Sequence, residues 1–231
     1  MKVFILAGGL GTRIRSLFPD VQKCLIPAHG KPFLEWQLKH LTGQGFRDFV
    51  ICAGYRSEQI QEYFKDGAEW NVSIQYSIED AQSGTGYAVR FAERFLDDTS
   101  LVLNGDTYLP VDYGNFLTSH QNASKNGAVA SMALCSMPAH EGSGRVILDE
   151  SGRISAFMEK QSDQGAGFVS AGAYIFEPGI MSYIPEGPSS LERDVFPALV
   201  AKGLLHGVPV EKGFIDVGTP KGYAELEKLL I

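Results

Sequence analysis

The sequence predicts an α/β protein with a Rossmann-like, doubly wound and mainly parallel sheet. Short, wholly apolar segments at residues 3–7, 49–53 and 101–103 alternate with segments of helical periodicity. This alternation is typical of parallel strands that helices cover on both faces. We expect a single domain over residues 1–231. Near residue 125 the sequence changes from alternating strand and helix patterns to mainly strand patterns.

The first half of the chain supplies the alternating elements. Apolar residues at helical spacing predict helices over residues 33–43, 57–64 and 86–96, and residues 73–77 alternate like a strand. Ser57 is expected to cap the second of these helices at its N-terminus.

The second half predicts a mixed sheet built onto this core. Short connections separate four predicted strands, at residues 128–134, 144–148, 154–159 and 171–176. Helical patterns return at residues 191–201 and 221–230. The absence of a linker-like or repetitive segment favours one continuous unit.

The composition excludes several classes of protein. The chain is 44% hydrophobic and carries 27 acidic against 20 basic residues, a formal charge of −7, so it can fill a core and has no basic footprint for nucleic acid. Three cysteines without a CxxC pair indicate reduced thiols. No apolar run approaches the roughly 20 residues of a membrane span, and the apolar N-terminal stretch is too short for a signal peptide. We expect a cytoplasmic protein that binds neither nucleic acid nor membrane.

A glycine-rich turn, Gly-Gly-Leu-Gly-Thr-Arg at residues 8–13, directly follows the first strand. Glycines let backbone N–H groups approach a polyphosphate, and Arg13 would balance its charge. The turn is not GxGxxG, because residue 14 is Ile, and it is not a P-loop. Taken alone, it is equally compatible with an ordinary turn. Lys23 lies after this turn and before Pro27. There it would either cap a phosphate or be an exposed loop lysine.

Two aspartates are candidates for a metal site. Asp106 follows a buried strand and Asp216 begins an Asp-x-Gly turn. Carboxylates, phosphate oxygens and waters together suit the octahedral coordination of Mg²⁺. Each aspartate by itself would equally well cap its loop.

The order of these motifs resembles the signature of the sugar-1-phosphate nucleotidylyltransferase family. The resemblance rests on residues 8–13, Lys23-x-x-x-Pro27 and residues 30–35 (Gly-Lys-Pro-Phe-Leu-Glu). It continues over essentially the whole chain, through residues 84–86 (Gly-Thr-Gly), 103–106 (Leu-Asn-Gly-Asp), 157–160 (Phe-Met-Glu-Lys), 170–176 and 214–220. Within the family, residues 77–86 and 214–220 are most similar to D-glycero-D-manno-heptose 1-phosphate guanylyltransferases.

The resemblance implies a nucleotide-diphospho-sugar transferase fold and a transferase activity. An NTP, with GTP favoured, would react with a sugar 1-phosphate, with D-glycero-D-manno-heptose 1-phosphate favoured, to give an NDP-sugar and pyrophosphate in the presence of Mg²⁺. Residues 1–125 would form the nucleotide-binding core, and residues 126–231 the sugar-binding part and the C-terminal helix. A homodimer is left open, because one sequence does not show surface packing.

The resemblance also assigns roles to individual residues. Arg13, Lys23 and Asp106 would be catalytic, with Arg13 on the triphosphate and Lys23 on the sugar phosphate or the α-phosphate. The metal ligands would be Asp106 and Asp216. The nucleotide-binding residues would be Leu6, Ala7, Gly8, Gly9, Gly11, Thr12, Arg13, Gly84, Thr85, Gly86 and Asn104. The sugar-binding residues would be Gly144, Glu159, Lys160, Ser170 and Gly172.

Two departures from the family pattern and three alternatives remain. Cys24 stands where the family usually has proline, which predicts a less rigid loop, and Ser170 stands where asparagine is common. The first alternative is a nucleotidylyltransferase for another base, such as a uridylyltransferase acting on MurNAc or hexose 1-phosphate. The second is a non-catalytic sugar-nucleotide sensor, against which the retained charged residues argue. A Rossmann dehydrogenase is disfavoured because Arg13 occupies the place of a third glycine.

Overall fold

The structure, a computed structural model, describes residues 1–137, 145–158, 167–211 and 213–229. Its strands, in chain order, are β1 (Lys2–Leu6), β2 (Pro27–Ala28), β3 (Lys31–Pro32), β4 (Asp48–Ala53), β5 (Ser73–Ile78), β6 (Ser100–Asn104), β7 (Thr107–Tyr108), β8 (Ala130–Met137), β9 (Arg145–Leu148), β10 (Ile154–Met158), β11 (Gly167–Phe176), β12 (Leu205–Val210) and β13 (Ile215–Asp216). Its α-helices are α1 (Phe33–Gly43), α2 (Ser57–Phe64), α3 (Thr85–Phe91), α4 (Tyr113–Lys125), α5 (Phe196–Ala201) and α6 (Pro220–Leu229).

The main sheet joins nine strands of the described chain, in the order β10-β9-β11-β6-β1-β4-β5, while β8 pairs with β11 and β12. The neighbours β6, β1, β4 and β5 are parallel. The long strand β11 runs antiparallel beside β6 and so attaches the second half of the chain to the first. The sheet is therefore mixed and mostly parallel at its centre, as predicted.

Helices cover both faces of the sheet. On one face, Leu38 of α1, Phe64 of α2 and Phe116 of α4 lie in a core shared with alternate residues of β1. On the other, Val89 of α3 and Phe196 of α5 are buried. Because both faces are covered, the central strands are apolar throughout, which is why continuous apolar runs mark them in the sequence.

Most predicted elements are confirmed, and their ends shift by a few residues. The helix predicted over 86–96 ends at Phe91, and a separate 3-10 turn follows at Glu93–Phe95. The pattern over 191–201 divides into a π-helical turn, Leu191–Val195, and α5. The start of one predicted segment, residue 144, and the ends of two others, residues 159 and 230, lie outside the described residues.

The prediction that Ser57 caps α2 is wrong. Ser57 is the first helical residue, and the N-cap is Arg56, which has a left-handed backbone (φ 56°) and makes no side-chain capping bond. The Ser57 N–H donates to the Gly54 carbonyl at 3.1 Å, so the tight turn after β4 fixes the start of the helix. Across the part of the chain described, no helix has the length and apolarity that crossing a membrane would require.

Candidate active site

Predicted site residues that follow two strands meet where those strands end. The parallel strands β1 and β6 lie in register, with Leu6 opposite Asn104. The Gly105 N–H then donates to the Leu6 carbonyl at 2.9 Å. The glycine-rich turn after β1 and Asp106 after β6 therefore share the carboxyl edge of the sheet, where open α/β sheets bind their ligands.

The glycine-rich turn presents its backbone toward this edge. Within the described part of the chain, no acceptor takes the N–H groups of residues 8–13, while the Gly11 carbonyl accepts from Ile14 and Arg15. Gly11 has φ +64°, and a Cβ there would lie 3.3 Å from Lys23 Cβ. Glycine is therefore required at residue 11 both by its conformation and by the close approach of Lys23.

Gln22 holds the lysine loop in place. Its buried side chain donates to the Ala7 carbonyl at 2.6 Å and accepts from the Cys24 N–H at 2.6 Å, which caps the 3-10 turn Lys23–Leu25. Cys24 itself is buried, and burial raises the pKa of its thiol. The anchored Gln22 supplies the order that the missing proline would have given. Sequence reasoning missed this residue.

Four of the predicted charged residues form two ion pairs. The Lys23 ammonium contacts the Asp106 carboxylate, and Arg13 Nη1 lies 2.9 Å from Asp216 Oδ2. The first pair is the more enclosed, with side chains 12% and 28% exposed, against 58% and 31% for the second. Two cations and two anions thus neutralise each other at the edge of the sheet.

A short strand pair brings the two aspartates together across more than a hundred residues of chain. Strand β13 pairs with β7, with Asp216 opposite Thr107, and the Val217 N–H donates to the Asp106 carbonyl at 2.8 Å. A Cβ on Gly218 would overlap the Lys23 ammonium group, so the glycine of the Asp-x-Gly turn makes room for the lysine.

The donor chemistry of this edge fits a hard divalent cation such as Mg²⁺. Asp106 and Asp216 offer carboxylate oxygens, the ligand type that Mg²⁺ prefers. No cluster of three candidate ligands occurs among the residues that the structure describes. Phosphate oxygens and waters would therefore complete the coordination, as is usual for Mg²⁺ at a substrate phosphate.

A cavity of about 180 Å³ opens beside these pairs. Seven of the residues that line it were predicted from the sequence: Leu6, Gly8, Gly9, Gly84, Thr85, Asn104 and Asp106. Four others complete its walls: Gly54, Glu79, Gln82 and Ala88. Glu79, only 8% exposed, follows β5 directly, and burial raises its pKa to about 7. Sequence reasoning did not assign it to the site, although an acid directly after a predicted strand was a usable signal.

The Gly-Thr-Gly turn serves the packing of α3 as well as the cavity. Gly84 has φ +97°, and a Cβ there would overlap the Ser189 carbonyl. The Gly86 N–H donates to that same carbonyl at 2.9 Å. The Thr85 hydroxyl donates to Glu192 at 2.9 Å and accepts from the Leu191 N–H. Gly84 and Thr85 line the cavity, whereas Gly86 packs against Ser189 behind it.

The sugar-side residues that are described lie on a bulge of β11. The register of β11 against β8 shifts between Ser170 and Tyr174, and Gly172 within this bulge has φ +69°. A Cβ on Gly172 would lie 3.0 Å from Asn104 Nδ2, so the bulge reaches the end of β6. The Ser170 hydroxyl lies 3.2 Å from the Tyr174 hydroxyl. The other three predicted residues, Gly144, Glu159 and Lys160, lie outside the described residues.

Comparison with known proteins agrees with this geometry. The family model described as Nucleotidyl transferase matches residues 2–231. The UTP–glucose-1-phosphate uridylyltransferase of Synechocystis is 33% identical in an alignment 241 positions long, which covers 96% of this chain and 61% of that protein. The D-glycero-alpha-D-manno-heptose 1-phosphate guanylyltransferase of Campylobacter jejuni is 31% identical over 227 residues, 96% of this chain and 97% of that protein. The chain spans about three fifths of the length of the first curated relatives it matches.

Solved structures include one with a nucleotide analogue. The crystal structure of HddC from Yersinia pseudotuberculosis complexed with GMP-PN is 28% identical in sequence, with a TM-score of 0.86. The match covers 100% of this chain and 99% of that chain. The nucleotide-diphospho-sugar transferase fold expected from the sequence is therefore confirmed.

Proposed function

The chain belongs to the nucleotidyl transferase family, and on this premise we propose that it condenses an NTP with a sugar 1-phosphate. An oxygen of the sugar phosphate attacks the α-phosphorus, and the bond from that phosphorus to the bridging oxygen breaks. The products are an NDP-sugar and pyrophosphate, which carries away the electron pair. GTP and D-glycero-D-manno-heptose 1-phosphate are the favoured substrates.

The observation that carries the proposal is the pairing of Lys23 with Asp106 and of Arg13 with Asp216 beside an open cavity. The reaction brings two anions together, so its main requirement is positive charge that offsets the charge of the phosphates. A site that holds equal numbers of cations and carboxylates supplies this by exchanging partners. The cations turn to phosphate oxygens, and the carboxylates become free to hold a metal ion.

The two cations suit different tasks. Lys23, enclosed and anchored through Gln22, is placed to hold the attacking sugar phosphate or the α-phosphate as a point charge that tolerates shifting geometry. Arg13 is exposed and lies on the turn whose N–H groups are available, so it would hold the triphosphate and stabilise the departing pyrophosphate. Leu6, Ala7, Gly8, Gly9, Gly11 and Thr12 would contribute backbone contacts to the nucleotide.

Asp106 and Asp216 would hold Mg²⁺, which when bound supplies neutralising charge to the reacting phosphates. The sugar would lie toward the β11 bulge, at Ser170 and Gly172, with Gly144, Glu159 and Lys160 as further predicted contacts. The nucleoside would occupy the 180 Å³ cavity, against Gly84, Thr85 and Asn104. Gly86 would contribute by packing this wall of the cavity against Ser189.

Guanine is favoured as the base because the Campylobacter jejuni relative matches over nearly its whole length, and because the Yersinia pseudotuberculosis structure holds GMP-PN. A uridylyltransferase is the second candidate, since the Synechocystis relative is 33% identical. We propose that the protein acts in the cytoplasm, without nucleic acid or membrane partners. Its molar mass in solution would show whether it forms a homodimer.

The test is a pyrophosphate-release assay with Mg²⁺ that crosses five NTPs with a panel of sugar 1-phosphates including the heptose. Release with GTP and the heptose alone is the expected result. Release with another pair would keep the chemistry and change the substrates. No release with any pair, together with tight binding of an NDP-sugar, would instead support the sensor.

A further inference from the structure

The turn that carries Asp106 has few fixed points of its own. It joins β6 to β7 through Gly105 and Asp106, and β7 consists of only Thr107 and Tyr108. Its partner β13 is equally short. Because even a longer two-stranded pair is only marginally stable by itself in water, contacts from other elements must hold this turn in place.

Gln37, in α1, makes such contacts on both sides of Asp106. It is buried, with 4% of its surface exposed, and its amide nitrogen donates to the Asn104 carbonyl at 3.1 Å and to the Thr107 carbonyl at 2.7 Å. Asn104 ends β6 and Thr107 begins β7, so these carbonyls come immediately before and after Gly105 and Asp106. One buried amide group therefore fixes both ends of the turn.

The same contacts reach the second aspartate. Thr107 lies opposite Asp216 in the β7–β13 pair, and the Asp106 carbonyl accepts the Val217 N–H at 2.8 Å. Strand β7 is therefore held both by the segment that carries Asp216 and by Gln37. A displacement of Thr107 would move the two aspartates together.

Packing alone does not require an amide at residue 37. Leu34, Leu38 and Leu41 of the same helix are buried in the apolar core. Gln37 Oε1 has no hydrogen-bond partner among the described residues. Burying a polar group without a partner is costly, and an apolar side chain would avoid that cost. The contribution that only the amide makes is the pair of hydrogen bonds to the turn.

We propose that Gln37 is a positioning residue for the metal-binding carboxylates. By holding residues 104–107 it places Asp106, and through the β7–β13 pair it places Asp216, so that both can bind one divalent cation. This rests on the proposed function, in which the two aspartates hold Mg²⁺. Because Mg²⁺ demands near-octahedral geometry, small displacements of its carboxylate ligands weaken its binding.

The first experiment measures the Mg²⁺ concentration that gives half-maximal pyrophosphate release. Gln37→Leu has a similar size and donates no hydrogen bond, so we expect this concentration to rise about 10–100-fold, the usual effect of losing a residue that orients metal ligands. Pyrophosphate release with no shift in the Mg²⁺ requirement of Gln37→Leu would overturn the proposal.

Gln44→Leu is the matched control. Gln44 caps the end of the same helix, and its amide also donates to a backbone carbonyl, that of Val111 at 2.9 Å, which lies beyond β7. This variant should change the Mg²⁺ requirement by less than about threefold. An equal shift in Gln37→Leu and Gln44→Leu would mean that loosening of α1, rather than the Asp106 turn, is responsible, and would also overturn the proposal.

A second experiment measures metal binding without turnover. Mn²⁺ replaces Mg²⁺ as a probe that electron paramagnetic resonance detects, and Asp106→Asn identifies the part of the binding that depends on the site. We expect Gln37→Leu to bind Mn²⁺ at least about tenfold more weakly than the wild type, and to cause no further loss in the Asp106→Asn background. Equal binding by the wild type and Gln37→Leu, with weaker binding by Asp106→Asn, would contradict the role of Gln37.

Thermal unfolding shows which variants are folded. Should Gln37→Leu not fold, Gln37→Asn takes its place with the same expectations, because it keeps the amide on a side chain one methylene shorter. Mn²⁺ binding that Asp106→Asn leaves unchanged would overturn the metal site and this proposal with it. Should no NTP release pyrophosphate while Mn²⁺ binding follows the expected order, the proposed reaction fails and the role of Gln37 stands.

Discussion

The two ends of the cavity balance their charges in opposite ways. At the charged end, formed by Lys23, Asp106, Arg13 and Asp216, every cation has an anion. At the Glu79 end, a carboxylate that is 8% exposed accepts from the Ser83 N–H and has no cationic partner among the described residues. The charged end is arranged to exchange partners, whereas the Glu79 end is arranged to acquire one.

This difference affects folding as well as ligand binding. Paired charges offset part of their desolvation cost in the unliganded protein. Among the residues that the structure describes, no cation pairs with Glu79, and burial raises its pKa to about 7. The unliganded protein therefore carries at Glu79 an uncompensated desolvation cost, whereas the formal charges of the charged end cancel in the unliganded protein.

Asp106→Asn should give the largest effect at the charged end. The amide would lose the metal-binding charge and leave Lys23 without its anion, so we expect kcat to fall about 10²–10³-fold. Pyrophosphate release at saturating substrates measures this, with thermal unfolding to confirm that the variant is folded. Asp97→Asn, which breaks the exposed pair with Lys2, is the control and should remain fully active. Near-normal turnover of Asp106→Asn at limiting Mg²⁺ would remove Asp106 from the metal site.

Lys23→Ala should have the next largest effect. Loss of one charge-assisted contact to phosphate predicts a fall of about 10–100-fold in kcat/KM, through a higher KM for the sugar 1-phosphate, a lower kcat, or both. Lys65→Ala is the matched control, because Lys65 forms an exposed pair with Glu69 away from the cavity. Kinetics of Lys23→Ala equal to those of the control would place the lysine outside the site.

The charged end was predictable from sequence because its parts come in a fixed order. Arg13 and Lys23 follow β1, and Asp106 follows β6, so the parallel register of those strands is enough to bring them to one edge. Asp216 needed the family order as well, since the β7–β13 pairing that places it joins strands of two residues. Such short strands leave no periodic pattern.

Elements with polar or irregular buried faces were not predicted. Helix α4 buries His120, whose ring nitrogens lie 2.8 Å from Ser131 Oγ and 3.0 Å from Glu177 Oε1, so hydrophobic periodicity does not mark it. Strand β12 contains Gly207 and Pro209. It tolerates them because β8 is the only strand with which it forms a ladder in the described sheet, apart from an isolated bridge between His206 and Arg153. Gln22 makes tertiary contacts that no local pattern encodes, whereas Glu79 had only its place directly after β5 as a signal.

The pH dependence of GTP use sharpens the comparison at the Glu79 end. In the proposed function the guanine of GTP lies in the cavity that Glu79 lines, and its N1–H and N2 amino group are two adjacent donors. Because the carboxylate must be ionised to accept both, kcat/KM for GTP should fall as the pH drops below about 7, by up to about tenfold per unit. Burial raises the pKa of the neighbouring Cys52 thiol, which therefore stays neutral in this range, and Asp106 forms an ion pair with Lys23.

Substrate phosphates also titrate near pH 6. The same series with Glu79→Gln corrects for them, since that variant keeps the substrate titration and lacks the carboxylate. The ratio of kcat/KM for GTP in the wild type to that in Glu79→Gln should therefore rise as the assay pH is raised from about 5.5 to about 8, a range that spans the pKa of about 7. A ratio that stays flat across this window would show that ionised Glu79 is not needed for GTP.

The smallest expected effect is on stability, and it has the opposite sign to the effect on activity. The folded-state pKa of Glu79 is raised from an ordinary 4.5 to about 7, so the protein gains from protonated Glu79 below pH 4.5 and loses that advantage as the pH rises through about 7. Glu79→Gln should therefore stabilise the unliganded protein by about 1–3 kcal/mol at pH 8, and much less at pH 5. Thermal unfolding at both pH values measures this, with Asp80→Asn, at the exposed neighbouring residue, as the reference. An equal gain at both pH values would mean that packing, not the buried charge, is responsible. At pH 8, added GTP should make the wild type more stable than Glu79→Gln. The reason is that guanine compensates the buried charge in the wild type, whereas the variant has no such charge.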